Sequence, residues 1–162
     1  MLLNNIVPWL VSRKDNVGVM ADLKKSLRVG SSHKAWPHIT FLCDITNQRE
    51  EHIVRTLAGL YSHHPQHSPR MGNLGSSLKV LAIRRDPGTF ERHIKRIVSV
   101  NSIQSITALL PFYVRMLKNE GVPINYQVLL EDLKYFGDKV SKNWCKSFYQ
   151  GGSDVLDEDN GQ

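Results

Sequence analysis

The sequence predicts an all-α protein built as two packed helical bundles with a basic surface, and three observations carry that reading. Apolar residues recur at helical spacing along most of the 162-residue chain. Polar caps and Gly or Pro breaks interrupt that periodicity at intervals suited to helices. No stretch alternates with period two for long enough to build a sheet.

Taken in order, the opening Met1 to Val11 is apolar but broken by Asn4, Asn5 and Pro8. It lacks a cationic leader and is far too short to span a bilayer, so it reads as a first helix or docking segment and not as an export signal. Asn47 with Glu50 three residues on has the spacing of a capping box. The helix behind it carries Ile53, Val54, Leu57, Leu60 and Tyr61 and is expected to stop at His63-His64-Pro65. From His63 to Gly75 the chain holds Pro65, Pro69, Gly72 and Gly75, a loop composition that places the main internal boundary there.

After that loop a short helix is expected from Ser76 to about Arg85, and then Asp86-Pro87 as cap and first turn of the next helix. Phe90, Ile94, Ile97 and Val98 fall at i, i+4, i+7 and i+8 and form one apolar stripe, while Arg92, Lys95 and Arg96 project from the opposite side. The following helix, about Ile103 to Asn119, aligns Ile106, Leu110, Tyr113 and Leu117. Pro111 sits inside it, which predicts either a kinked helix or two helices meeting near Leu110. Gly121 and Pro123 end that element, and Asn125 caps a helix bearing Leu129, Leu130, Leu133 and Phe136. Gly137 and Asp138 break it, and Val140, Trp144 and Phe148 make the stripe of a last helix, with Lys139, Lys142 and Lys146 on another face. The expected organisation is therefore a bundle over residues 1–70, a second over 71–150, and a disordered acidic tail over 151–162.

The formal net charge is +6. The tail concentrates Asp154, Asp157, Glu158 and Asp159 with no Lys or Arg. Residues 1–152 thus hold 21 basic residues against 11 acidic ones, the full 15 less those four, for a net +10. Such an excess, clustered on helices, is the electrostatic footprint of a nucleic-acid binder, because each phosphate contact releases a condensed counterion. Cys43 and Cys145 form no metal-ligand spacing and read as small buried hydrophobes in a reduced, cytoplasmic protein.

His63, His64 and His67 do not give the helical i, i+4 pair with a flanking Glu of a metalloprotease, and Pro65 disfavours a regular helix there, so a polar loop is expected and no metal. No Gly-rich phosphate loop, GxSxG elbow or paired carboxylate supports catalysis, and neither an enzyme nor a cofactor is expected. Trp144 is assigned to the core, since aromatics at helical spacing are usually buried. Arg55 is expected to face solvent.

Several segments together resemble a known family. They are Leu78-Lys79 in a Ser-Leu-x-x-Leu helix, the helix from Phe90-Glu91-Arg92 to Arg96, "VRMLKNEGVPINYQVLLEDLKYF", and a closing Trp144 with Phe148-Tyr149. They resemble the CasB family, small subunits of the type I-E CRISPR complex Cascade, and "MADLKKSLRVG" is similar to that family's basic stretch ahead of its first long helix. The likeness covers most of residues 20–149. Asn125 and Tyr126 stand where the family usually has an Asp cap and a Trp or other aromatic, both conservative in physical role.

The resemblance implies a non-enzymatic, all-helical subunit, present as a pair inside an RNA-guided surveillance complex. There it would bind guide RNA and target or displaced DNA strands alongside other Cascade subunits. It places Lys24, Lys25 and Arg28, and later Lys79, Arg92, Arg96, Arg115 and Lys118, at matching basic positions suited to phosphate contacts. Arg84, Arg85, Lys95, Lys142 and Lys146 are further basic candidates whose direction depends on helix packing. Three rivals to this reading are a helix-turn-helix regulator that discriminates bases in the major groove, a structural bundle whose charge serves solubility, and a histidine-metal hydrolase that would need stoichiometric metal and depend on His63 and His67.

Overall fold

In the computed structural model, residues 2–150 are described. Among them nine α-helices form and no strand does. The helices are α1 (Ile6–Arg13), α2 (Val17–Lys25), α3 (Trp36–Ile39), α4 (Gln48–His63), α5 (Leu74–Arg84), α6 (Pro87–Ser99), α7 (Ile103–Asn119), α8 (Tyr126–Lys134) and α9 (Asp138–Tyr149). The chain divides into two compact units, Met1–His67 and Ser68–Gln162. The acidic tail expected over 151–162 lies outside the described residues.

In the first unit α4 is the organising helix. Ile53, Val54, Leu57, Ala58, Leu60 and Tyr61 are all buried along it, because their spacing holds one continuous face inward. α2 lies against that face and buries Met20 and Leu23. Both helices start on an asparagine cap: the Asn16 side chain accepts from the Val19 amide and Asn47 from the Glu50 amide, each at 3.1 Å. Arg55 does not face open solvent as expected. Its Nε donates to Glu51 Oε1 at 2.6 Å and its Nη1 to the Ser26 carbonyl at 3.3 Å. Burial of the α2–α4 seam draws the guanidinium inward, where it satisfies a carbonyl at the end of α2. Cys43 is buried, with its thiol pushed up to about 12 chiefly by that burial and then by the neighbouring carboxylates of Glu50, Glu51 and Asp44. Cys145 is only half-buried.

α3 is held to α2 by His38 Nε2 and Asp22 Oδ2 at 2.9 Å. That hydrogen bond holds the Asp22 carboxyl below its ordinary range against the opposing effect of burial, helped by the positive charges of His38, Lys34 and Lys25. A carboxyl whose folded value is depressed stabilises the fold above its unfolded value, and that contribution is lost as pH falls through the folded value. Asp22→Asn is therefore expected to make thermal stability fall less steeply below about pH 4, as read from melting temperature against pH. An unchanged acid-side slope would contradict this role of the pair.

In the second unit α5 and α9 form the principal contact. Gly75, expected in the preceding loop, is the second residue of α5 and is buried. A Cβ there would overlap the backbone carbonyl of Trp144, so α5 and α9 meet backbone to backbone at this point. The helix starts earlier than Ser76 because Asn73 caps it, accepting from the Ser76 amide at 3.3 Å while its own amide donates to Ser147 Oγ at 2.9 Å.

α7 runs unbroken through Pro111. Ile103, Ile106 and Leu110 before the proline and Tyr113, Val114 and Leu117 after it are all buried. Their burial outweighs the ~3 kcal/mol that an internal proline typically costs a helix. Gly121, with φ of 65°, takes the left-handed turn that ends this segment. Asn125 accepts from the Val128 amide at 3.1 Å and donates to the Met71 carbonyl at 2.8 Å. It thereby caps α8 and fastens the segment before α5. Trp144 is fully buried, and its indole N–H donates to Asp132 Oδ2 at 2.8 Å. Burial pushes the Asp132 carboxyl up while that hydrogen bond pulls it back.

Candidate nucleic-acid interface

On α6 the division of faces is sharp. Phe90, Ile94 and Ile97 are buried, and Arg92, Lys95 and Arg96 are exposed. Asp86 opens the helix by accepting from the Gly88 amide at 3.1 Å, and Pro87 supplies the first-turn φ. Once the cap and the apolar stripe are set, the rotation of the helix is set too, and the arginines have only the outside to occupy. Lys95 lies 3.6 Å from Glu91 in an exposed i, i+4 pair, an arrangement that contributes little to stability. Among the described residues Arg92 and Arg96 form no ion pair or side-chain hydrogen bond. One turn apart, they leave two full charges available on one face.

Neighbouring rings register these charges. Burial, followed by Arg92 and Arg96, holds the His93 imidazole below its usual range, so it is neutral at neutral pH. Burial likewise pushes the Tyr113 phenol up, against the pull of Arg96. Arg96 thus lies within electrostatic reach of α7. On that helix Arg115 and Lys118 are exposed, three residues apart, and neither side chain is paired among the described residues.

Of the other candidate cations, Arg84, Arg85, Lys79 and Lys142 have partners within the fold. Arg84 Nη1 donates to the Glu120 carbonyl at 2.6 Å and Arg85 Nε to Glu120 Oε1 at 3.1 Å, so the end of α5 clasps the end of α7. Lys79 is half-buried, with its ammonium 5.9 Å from the centre of the Phe148 ring. Lys142 is exposed beside Asp138 at 3.5 Å. Lys146 is exposed at the rim of a polar cleft of about 480 Å³ that Asn73, Asp132, Asn143 and Ser147 also line. In the first unit, Lys24 and Lys25 occupy the last turn of α2 and Arg28 the turn after it. All three are exposed and without a side-chain ion pair among the described residues. Their place at a helix C-terminus is also favoured by the helix dipole.

Two surface features escaped the sequence reading. Phe112 is 46% exposed. It lies off the buried Ile106-Leu110-Tyr113-Leu117 row and on the exposed row with Ala108 and Arg115, a position that helical spacing alone would have shown. Asp132 lies beside the cleft because Trp144 draws its carboxylate inward, a contact twelve residues away in sequence that no local pattern encodes. Among the described residues no group of three or more His, Cys, Asp or Glu side chains is disposed to hold a metal ion. No helix among them is long and apolar enough to cross a membrane.

Residues 19–149 match the sequence model of a family described as CRISPR-associated protein Cse2. Among solved structures the chain is similar to one described as "CRISPR RNA-guided surveillance complex", with a TM-score of 0.75 and 18% identity over 98% of this chain and 99% of that one. At that identity the likeness speaks for the fold. No curated protein sequence matches the chain.

Proposed function

Because the chain belongs to the Cse2 family, the CasB small subunits of the type I-E Cascade complex, we propose that its basic helical surfaces hold nucleic-acid backbone and so stabilise the R-loop between guide RNA and target DNA. The observation that carries this reading is the pair Arg92 and Arg96, exposed on one face of α6 and unpaired. Arg115 and Lys118 on α7, and Lys24, Lys25 and Arg28 at the end of α2, serve the same purpose. Guanidinium and ammonium groups contact phosphate oxygens without reading the base. Sequence specificity then belongs to guide–target pairing, and the protein contributes charge and shape. The protein acts without catalysis, in the cytoplasm, with other Cascade subunits and as a pair with a second copy of itself.

Mixing the purified chain with the remaining Cascade subunits and guide RNA tests this reading. The chain is expected to co-elute with the RNA-containing assembly on size exclusion. By itself it is expected to bind single- and double-stranded DNA weakly, without sequence preference and with affinity that falls steeply as salt rises. A folded protein that stays out of the assembly would overturn the proposal. A strong preference for one duplex in competition would favour a helix-turn-helix regulator instead.

A further inference from the structure

The second unit carries an aromatic feature that phosphate binding does not use. Phe112 is the exposed member of a ring cluster built across α6 and α7. Its centroid lies 6.1 Å from that of His93 and 5.1 Å from that of Tyr113, the latter edge to face. His93 is half-buried and fixed in place: its Nδ1 lies 3.1 Å from the Tyr113 hydroxyl, and its ring packs 5.1 Å from Phe90. Tyr113 and Phe90 are buried beneath. The outer rings therefore rest on a rigid base and lose little freedom when something flat settles on them.

Charge surrounds this cluster on both helices. Arg92 and Arg96 act on His93 from α6, and Arg115 follows Phe112 by three residues on α7. Opposing charge is scarce. α7 contains no acidic residue, Glu91 of α6 already pairs with Lys95, and Glu120 is clasped by Arg84 and Arg85. An apolar protein face laid on Phe112 would have to desolvate unpaired guanidinium groups, which is unfavourable. A strand with flat rings on an anionic backbone satisfies both features at once.

We infer that Phe112, backed by His93, is a stacking platform for an unpaired nucleobase, so that this surface holds single strands in preference to duplex. The inference rests on the nucleic-acid reading above and adds to it what the surface recognises. In a duplex the base faces are covered by their neighbours and only phosphates remain to be bound. In a displaced or unpaired strand a base face is free to lie on the phenyl ring while Arg92, Arg96 or Arg115 takes the adjoining phosphate.

The test compares three probes on the full chain: an oligo-dT strand, an abasic phosphodiester strand of the same length and charge, and a duplex. The wild-type protein is expected to bind oligo-dT more tightly than the abasic strand. Phe112→Ala should weaken oligo-dT binding by roughly 5- to 100-fold while leaving the abasic strand, the duplex and the salt slope unchanged. Phe112→Trp should keep the affinity, and its added indole emission should be quenched by oligo-dT. The inference is overturned if Phe112→Ala binds oligo-dT as wild type does, or weakens both single strands equally. It is also overturned if the variant alters only self-association in sedimentation, which would make Phe112 a protein contact. If wild type prefers neither single strand but still binds both with steep salt dependence, the stacking inference falls and the phosphate reading stands. If it binds no probe, both fall.

Discussion

Replacing Gly75 with alanine is expected to destabilise the second unit by about 3 kcal/mol, the upper end of what overpacking usually costs. Helix propensity alone predicts the opposite sign, since Gly to Ala inside a helix ordinarily stabilises by about 0.5–1 kcal/mol. Packing decides the sign here. The new methyl would overlap the Trp144 carbonyl, and a backbone atom has no rotamer through which to yield. α5 and α9 would have to part, loosening the fully buried Trp144 and its bond to Asp132. Gly18 in α2 is the natural control. A Cβ there meets nothing nearer than Asn16 Oδ1 at 3.7 Å, so Gly18→Ala should stabilise slightly. Urea denaturation of the two variants beside wild type reads both signs, and a Gly75→Ala protein as stable as wild type would refute the close approach of these helices.

The second large effect is on binding. The triple variant Arg92→Ala, Arg96→Ala and Arg115→Ala is expected to lose most of its affinity for DNA at low salt. The dependence of log affinity on log salt should flatten by about 2–3, or roughly 0.7–0.9 for each lost phosphate contact. Folding should be untouched, because these three side chains are exposed and pair with nothing among the described residues. An unchanged melting temperature separates the loss of charge from loss of structure. If binding and slope both stay at the wild-type level, this face is not where nucleic acid lies.

Local patterns carried much of this. Asn47, Asp86 and Asn125 cap the helices that their spacing predicts. The Phe90, Ile94 and Ile97 stripe is buried with the arginines opposite, and Trp144 is core. These signals lie within one or two helical turns, where covalent geometry ties sequence spacing to direction. Other features depended on partners far along the chain. Gly75 read as a loop residue until Trp144 was opposite it. The direction of Arg84 and Arg85 depended on Glu120, whose carbonyl and carboxylate they meet across the helix pair. The exposure of Phe112 was legible in helical spacing, but its place in a ring cluster depends on His93 across the helix pair.

By itself, the sequence determined most of the helices from Asn47 onward and which face of each turns inward, because caps, breaks and a 3.6-residue period act within a few residues of one another, whereas the short α2 and α3 and the first turn of α5 were not legible in it. Tertiary structure alone decided which cations stand unpaired among the described residues and which meet a partner within the fold. Whether Arg85 or Arg92 meets a carboxylate depends on what packing brings within a few ångströms, and nothing within the helix itself records that distance.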